Sequence, residues 1–154
     1  MSNDVVFEEV IQATIERFWE TVPPVWNRIR GNVRGIASEQ YEMSVEQFHI
    51  LRHIRKGLSS VSELAEVRQI SRPAISQAVD GLVERGLISR HQDEVDRRYV
   101  NLALTASGDA LLNVIFRQNR AWMAEKMAGL SADQLDAVCR GLEILKAAFD
   151  PAEI

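Results

Sequence analysis

The chain has 154 residues, 46% of them hydrophobic and 26% charged, with a formal net charge of −4. That composition can bury a core and excludes an intrinsically disordered chain, and its short, charge-interrupted apolar stretches exclude a bilayer-spanning segment. The acidic start, Met1 to Glu9, has no basic region followed by an apolar run, so no signal peptide is expected; the single cysteine, Cys139, excludes an internal disulfide and suits a reducing, cytoplasmic compartment.

The first element, about Asp4 to Ser38, reads as a helix, because Phe7, Ile11, Ile15, Phe18, Val22, Val25, Ile29, Val33 and Ile36 recur every three or four residues. Pro23 and Pro24 fall inside that stripe and predict a kink or a restart near Thr21, since an interior proline removes a donor and crowds the preceding turn. A second helix follows over Ser44–Lys56, with Val45, Phe48, Leu51 and Ile54 on one face and Gly57 at its end. Ser60 and Glu63 have capping-box spacing and open a short helix from Val61 to about Arg68. Ser71 is a good N-cap, Pro73 fits a first turn, and a helix is expected over Arg72–Arg85, turning Ile75, Val79, Leu82 and Val83 inward.

The period then changes. Leu87–Gln92 and Tyr99–Leu104 read as two short strands around a charged tip, Asp93 to Arg98, that is too polar to bury. Thr105 caps a helix reaching about Met127, Gly129 ends it, and Ser131 with Gln134 opens a last helix carrying Leu135, Val138, Leu142, Leu145 and Phe149. The expected fold is mostly α with a small β-hairpin wing. A winged helix-turn-helix lobe over 39–104 is flanked by an N-terminal helical region, 1–38, and C-terminal helices, 105–154. The compact middle cannot cover the apolar stripes of both ends, which need each other or a second chain.

Two short helices joined by a tight turn form a helix-turn-helix pattern. Ser71, Arg72, Pro73, Ala74, Ser76 and Gln77 lie at the front of the second helix, where such a helix meets base edges. Arginine pairs with guanine, glutamine with adenine, and alanine touches a thymine methyl, while the amides at the helix start suit a phosphate. Arg97 and Arg98 at the hairpin tip can reach phosphate or a narrow minor groove, with Asp96 bracing Arg98. Charge is distributed accordingly: residues 52–98 carry +2 and the remainder −6, so the middle can meet an anion although the whole chain is acidic.

Ser62-Glu63-Leu64-Ala65, Ile70-Ser71, Val79 to Ile88, Asp96-Arg97-Arg98 and Leu104-Thr105-Ala106-Ser107-Gly108 together resemble the MarR family of bacterial regulators, most strongly over Ser44–Leu112. The resemblance implies a homodimer interlocked through the N- and C-terminal helices and bound to double-stranded DNA at a pseudo-palindromic operator. Each recognition helix would read one half-site, with Arg98 in the minor groove. It also implies a regulator, repression being the commoner mode, and a small, often aromatic effector held between the dimer and DNA-binding lobes. Trp19 and Trp26, seven residues apart, could line such a pocket or belong to a dimer core. The sequence departs from the family pattern at Gln69, where glycine is common in the turn, at Arg68, where an apolar residue is common and which could reach solvent or phosphate, and at Pro23-Pro24.

The competing reading is a winged-helix module for protein–protein assembly with no operator of its own; the cationic wing and Arg72 count against it. No nucleophile–base constellation is visible, so no enzyme and no cofactor are expected. His49 and His53 lack a third ligand for a metal, and Cys139 is expected as a buried small hydrophobe.

Overall fold

The structure, a computed structural model, describes residues 3–92 and 100–149. In chain order it contains α1 (Asn3–Tyr41), α2 (Val45–Arg55), α3 (Val61–Arg68), α4 (Arg72–Glu84), β1 (Ile88–Gln92), β2 (Val100–Leu104), α5 (Ala106–Met127) and α6 (Ala132–Ala148). Two compact units divide the chain, one ending at Arg120 and the other beginning at Ala121. Among the described residues no helix is long and apolar enough to cross a membrane.

Local chemistry sets the boundaries of the middle elements. Ser44, Ser60 and Ser131 each accept from the backbone three residues on, and Gln47, Glu63 and Gln134 reciprocate, so α2, α3 and α6 all begin with complete capping boxes. The Glu63 carboxyl is held below its usual range by the backbone amide of Ser59 and by Ser60. Positive φ at Gly57 and Gly86, 105° and 66°, turns the chain after α2 and α4, where a side chain would be strained.

The helix α1 differs from expectation. It runs unbroken through Pro23 and Pro24, so the restart near Thr21 does not occur. The two missing N–H groups leave only the Trp19 and Glu20 carbonyls without helical donors. Both residues are exposed, so water can take those bonds, while long helical flanks propagate on either side. The helix ends at Tyr41, where Glu42 adopts φ 48° and Arg85 donates to the terminal carbonyls, reaching Tyr41 O at 2.7 Å and Glu42 O at 3.4 Å. A guanidinium at the negative end of a helix is favourable, and this one ties α1 to the end of α4.

The first unit's core is built from every element between α1 and α5. Phe48, Ile50 and Leu51 of α2, Leu64 of α3, Ile75, Val79 and Leu82 of α4, Ile88 of β1, Leu102 of β2, and Leu112 and Ile115 of α5 are buried, with Val33 and Ala37 of α1 against them. Each such Leu, Ile or Phe removes enough apolar surface to contribute ~1.5–3 kcal/mol. The strands pair antiparallel from Ile88↔Leu104 to Gln92↔Val100, and the Leu102 amide also donates to Ser59 O at 2.6 Å, tying the hairpin to the start of α3.

In the second unit α6 has no buried residue. Leu135, Val138, Leu142, Ile144 and Phe149 are exposed, as are Phe7, Val10, Ile11, Ile15, Trp19, Val25 and Trp26 along α1. Cys139, expected inside, is likewise exposed. The apolar stripe of α6 on which it was expected to be buried holds no buried residue.

Candidate nucleic-acid interface

The turn between α3 and α4 keeps its shape without glycine. Gln69 takes the left-handed conformation, φ 51° and ψ 42°, at the C-cap of α3. Its amide bonds to Glu66 O at 3.2 Å and that of Ile70 to Ala65 O at 3.1 Å, which satisfies the carbonyls at the helix end. Arg68, just before it, is not left for phosphate. Its Nε and Nη2 grip the Glu46 carboxylate at 3.0 and 3.2 Å, a two-pronged pair that joins α3 to α2.

Ser71 starts α4, its hydroxyl accepting from the Ala74 amide at 3.4 Å. Ile75, Val79 and Leu82 are completely buried and fix the roll of the helix. The opposite side therefore faces out: Ser71, Arg72, Pro73, Ala74 and Gln77 are exposed and Ser76 is half-buried. Pro73 has no N–H and Ser71 occupies that of Ala74, so the first turn offers a phosphate the amide of Arg72. Further along, Asp80 pairs with Arg90 of β1. This ion pair offsets the acidic charge behind the recognition turn and braces helix against hairpin. The expected wing residues Asp96, Arg97 and Arg98 lie outside the described residues.

A second feature lies within the same unit. A cavity of about 200 Å³ is lined from α1 by Trp26, Ile29, Arg30, Val33 and Arg34, from α2 by Phe48, His49 and Arg52, and from α5 by Phe116 and Asn119. Trp26 therefore lines it. Trp19 is not among the lining residues; it lies two helical turns nearer the N-terminus, edge-on to Phe18 with ring centroids 5.9 Å apart. Arg52 lies over the Phe48 and Phe116 rings, 5.7 and 5.9 Å from their centroids. Asn32 Nδ2 donates to Asn119 Oδ1 at 2.9 Å, joining α1 to α5. His49 is buried. Burial first, then the charges of Arg68, Arg52 and Arg30, against an opposing pull from Glu46, lower its pKa from 6.5 to about 4. It is therefore neutral at physiological pH.

Sequence reasoning missed Arg30, Arg34, His49, Arg52 and Phe116. A signal existed in the helical spacing, since Trp26, Arg30 and Arg34 follow one another at four-residue steps and His49 and Arg52 at three. Which two helix faces meet was not readable from either segment alone.

Residues 41–98 match the model of the MarR family. The chain is 29% identical over 98 residues to the HTH-type transcriptional repressor MdtR of Bacillus subtilis (strain 168), a match covering 63% of each protein; it thus spans a little under two thirds of that relative. Its backbone is similar to the transcriptional regulator Tm0710 of Thermotoga maritima, with a TM-score of 0.80 at 18% identity, covering 86% of this chain and 94% of that one. It is also similar to a mutant of MepR from S. aureus bound to an oligodeoxyribonucleotide, with a TM-score of 0.67 at 21% identity, covering 85% of this chain and 96% of that one. These two likenesses establish the fold.

Proposed function

We propose that this chain, whose residues 41–98 match the model of the MarR family, is a sequence-specific DNA-binding transcriptional regulator of that family, acting as a repressor. The observation that carries the reading is the front of α4: Arg72, Ala74 and Gln77 stand exposed on a helix locked from behind by three fully buried side chains. Base readout needs that combination, because a side chain discriminates between bases only when its backbone is held in register. Ser71, Pro73 and Ser76 complete the surface proposed to enter the major groove, and Asp96, Arg97 and Arg98, expected from the sequence at the hairpin tip, are the proposed contacts to the backbone and minor groove. The oligonucleotide held by the related MepR structure supports the same use of this fold.

The regulator acts as a cytoplasmic homodimer on a pseudo-palindromic operator. Residues 1–38 and 105–154 form the dimerisation arms and 39–104 the DNA-binding lobe. Support for the dimer comes from the apolar faces of α1 and α6, which a single chain leaves in water. A small effector bound at the cavity beside Trp26 adjusts DNA affinity.

The test is binding to the chain's own promoter region across a series of salt concentrations. Specific binding in the nanomolar range, weakening steeply as salt rises, is expected. Arg72→Ala should cost ~1–3 kcal/mol and relax base preference at one position, and Arg98→Ala should cost a similar amount. Failure to select any specific site from genomic DNA would overturn the regulator reading, and a monomer by light scattering at micromolar concentration would overturn the dimer.

A further inference from the structure

The recognition helix is held at its far end by a contact that reaches outside the helix-turn-helix. Arg85 follows α4 as its C-cap, and its guanidinium donates to Tyr41 O at 2.7 Å and to Glu42 O at 3.4 Å. α1 has no basic residue in its own last turn, so the negative end of that helix takes its cation from α4. Both sides of the contact are stiff. On one, Glu42 sits at φ 48° and the Met43 amide donates to Ala37 O at 3.0 Å, with the Met43 side chain buried. On the other, the Arg85 amide donates to Gly81 O at 3.3 Å and the Gly86 amide to Val83 O at 2.8 Å. Tyr41 is also where α5 meets the end of α1, because its hydroxyl accepts from Gln118 Nε2 at 3.4 Å. Arg85 therefore joins the recognition helix to α1 and, through Tyr41, to α5, the helices that carry the proposed dimerisation arms.

We infer that Arg85 is a positioning residue for DNA reading: by holding the end of α1 it fixes α4 to the dimerisation arms and so sets the half-site spacing that two copies accept. The inference rests on the dimeric regulator reading above and adds what couples its two parts. Ile75, Val79 and Leu82 fix the roll of α4 within the lobe, whereas Arg85 fixes its end against α1, whose exposed apolar face runs on toward the N-terminus. The lever is long. α4 has 13 residues, about 20 Å at 1.5 Å per residue, so a tilt of about 5° at Arg85 carries Arg72 through roughly 2 Å. That exceeds the range of donor–acceptor distances over which a hydrogen bond to a base survives, so a second half-site is read in register only if the rear of α4 is held. A guanidinium suits the task better than an ammonium, since its planar fork can hold two successive carbonyls at once.

The test uses the full-length protein and the specific site selected from genomic DNA, together with versions of that site carrying one base pair more or fewer between the half-sites. Each such change moves the half-sites by about 3.4 Å and turns them by roughly 35°. The parent should bind the altered sites at least ~tenfold more weakly, as it would on losing one base contact. Arg85→Gln should weaken binding at the native spacing and shrink the ratio between native and altered spacing by at least ~threefold, a fraction of the strength of a charge-assisted hydrogen bond. Arg85→Lys, which keeps the charge and can donate to one carbonyl, should recover part of the ratio. Base preference within each half-site and the salt slope should stay as in the parent, since no phosphate contact is lost. A spacing ratio unchanged in Arg85→Gln, an Arg85→Lys protein no nearer the parent than Arg85→Gln, or a salt slope reduced by about one, the mark of a lost phosphate contact, would overturn the inference. Arg85 is exposed, and thermal unfolding with light scattering checks that each variant is folded and dimeric; should Arg85→Gln unfold, the same ratio compared between the parent and Arg85→Lys decides. Absence of any specific site for the parent sinks the regulator reading and this inference with it, whereas a parent site whose spacing preference persists in Arg85→Gln sinks this inference alone.

Discussion

Gly108→Ala is the sharpest probe of how the hairpin joins α5. A Cβ added at Gly108 would drive into the carbonyl oxygen of Leu87, and would also stand 2.9 Å from Leu104 Cδ1 and 3.0 Å from the Leu87 carbonyl carbon. The obstacle is backbone, and that backbone is pinned on both sides. The Leu87 amide donates to Leu82 O at 2.9 Å, the Thr105 amide donates to Leu87 O at 3.2 Å, and the Thr105 hydroxyl donates to Gly86 O at 2.7 Å. Relief requires α5 to lift away from the β1 start. Overpacking of this kind costs ~1–3 kcal/mol, and distorting one of the Thr105 bonds adds ~1 kcal/mol. Alanine's better helix propensity returns up to ~1 kcal/mol. We expect a net loss of ~1–3 kcal/mol. Urea unfolding at fixed protein concentration should show the midpoint falling by ~1–2 M with an unchanged slope. Gly31→Ala, in the middle of α1 with no atom near its added Cβ, should instead gain ~0.5–1 kcal/mol. A Gly108→Ala loss below ~1 kcal/mol would show that Leu87 yields easily and would refute the close-approach argument.

Stability should depend on pH through His49. The unfolded chain binds a proton near 6.5 and the folded chain only near 4, so the unfolded state holds more protons between those values and stability falls as pH drops through that window. Between pH 7 and 5 the linkage amounts to ~2 kcal/mol, reduced to ~1–2 kcal/mol by water reaching the adjacent cavity. His49→Gln should flatten most of that slope. Some remains with His53, whose pKa is lowered in the same direction by burial and then by Arg68, Lys56 and Arg52; an unaltered slope in the variant would refute the assignment. Gln69→Gly should relieve a left-handed side-chain residue and raise Tm by ~1–4 °C, and a lower Tm would mean that the Gln69 side chain contributes more than its backbone costs.

The local elements were legible because local chemistry decides them. Ser44, Ser60, Ser71 and Ser131 each cap the helix that the sequence places after them, and the two segments read as strands form the hairpin, although its register, Ile88 with Leu104, came only from the structure. The same locality explains why Gln69 stood out: the turn's backbone geometry is the same whichever residue occupies it, and only the strain differs. The fate of Pro23 and Pro24 was not legible. A proline's penalty is fixed by its own ring, but whether the helix absorbs it depends on whether the orphaned carbonyls meet water or protein.

The sequence by itself determined the order of helices and strands, the outward face of α4 from Arg72 to Gln77, and the need of α1 and α6 for apolar cover. These follow from periodicity and capping, which act over a few residues. Tertiary structure alone decided that Arg68 closes on Glu46 rather than facing outward, that Asp80 meets Arg90, and that Gly108 is a glycine because of Leu87. It alone brought Arg30, Arg52 and Phe116 to one cavity while leaving Trp19 outside. Those outcomes depend on which faces of distant segments meet, and that is set by the packing of the whole core rather than by the pattern within any one helix.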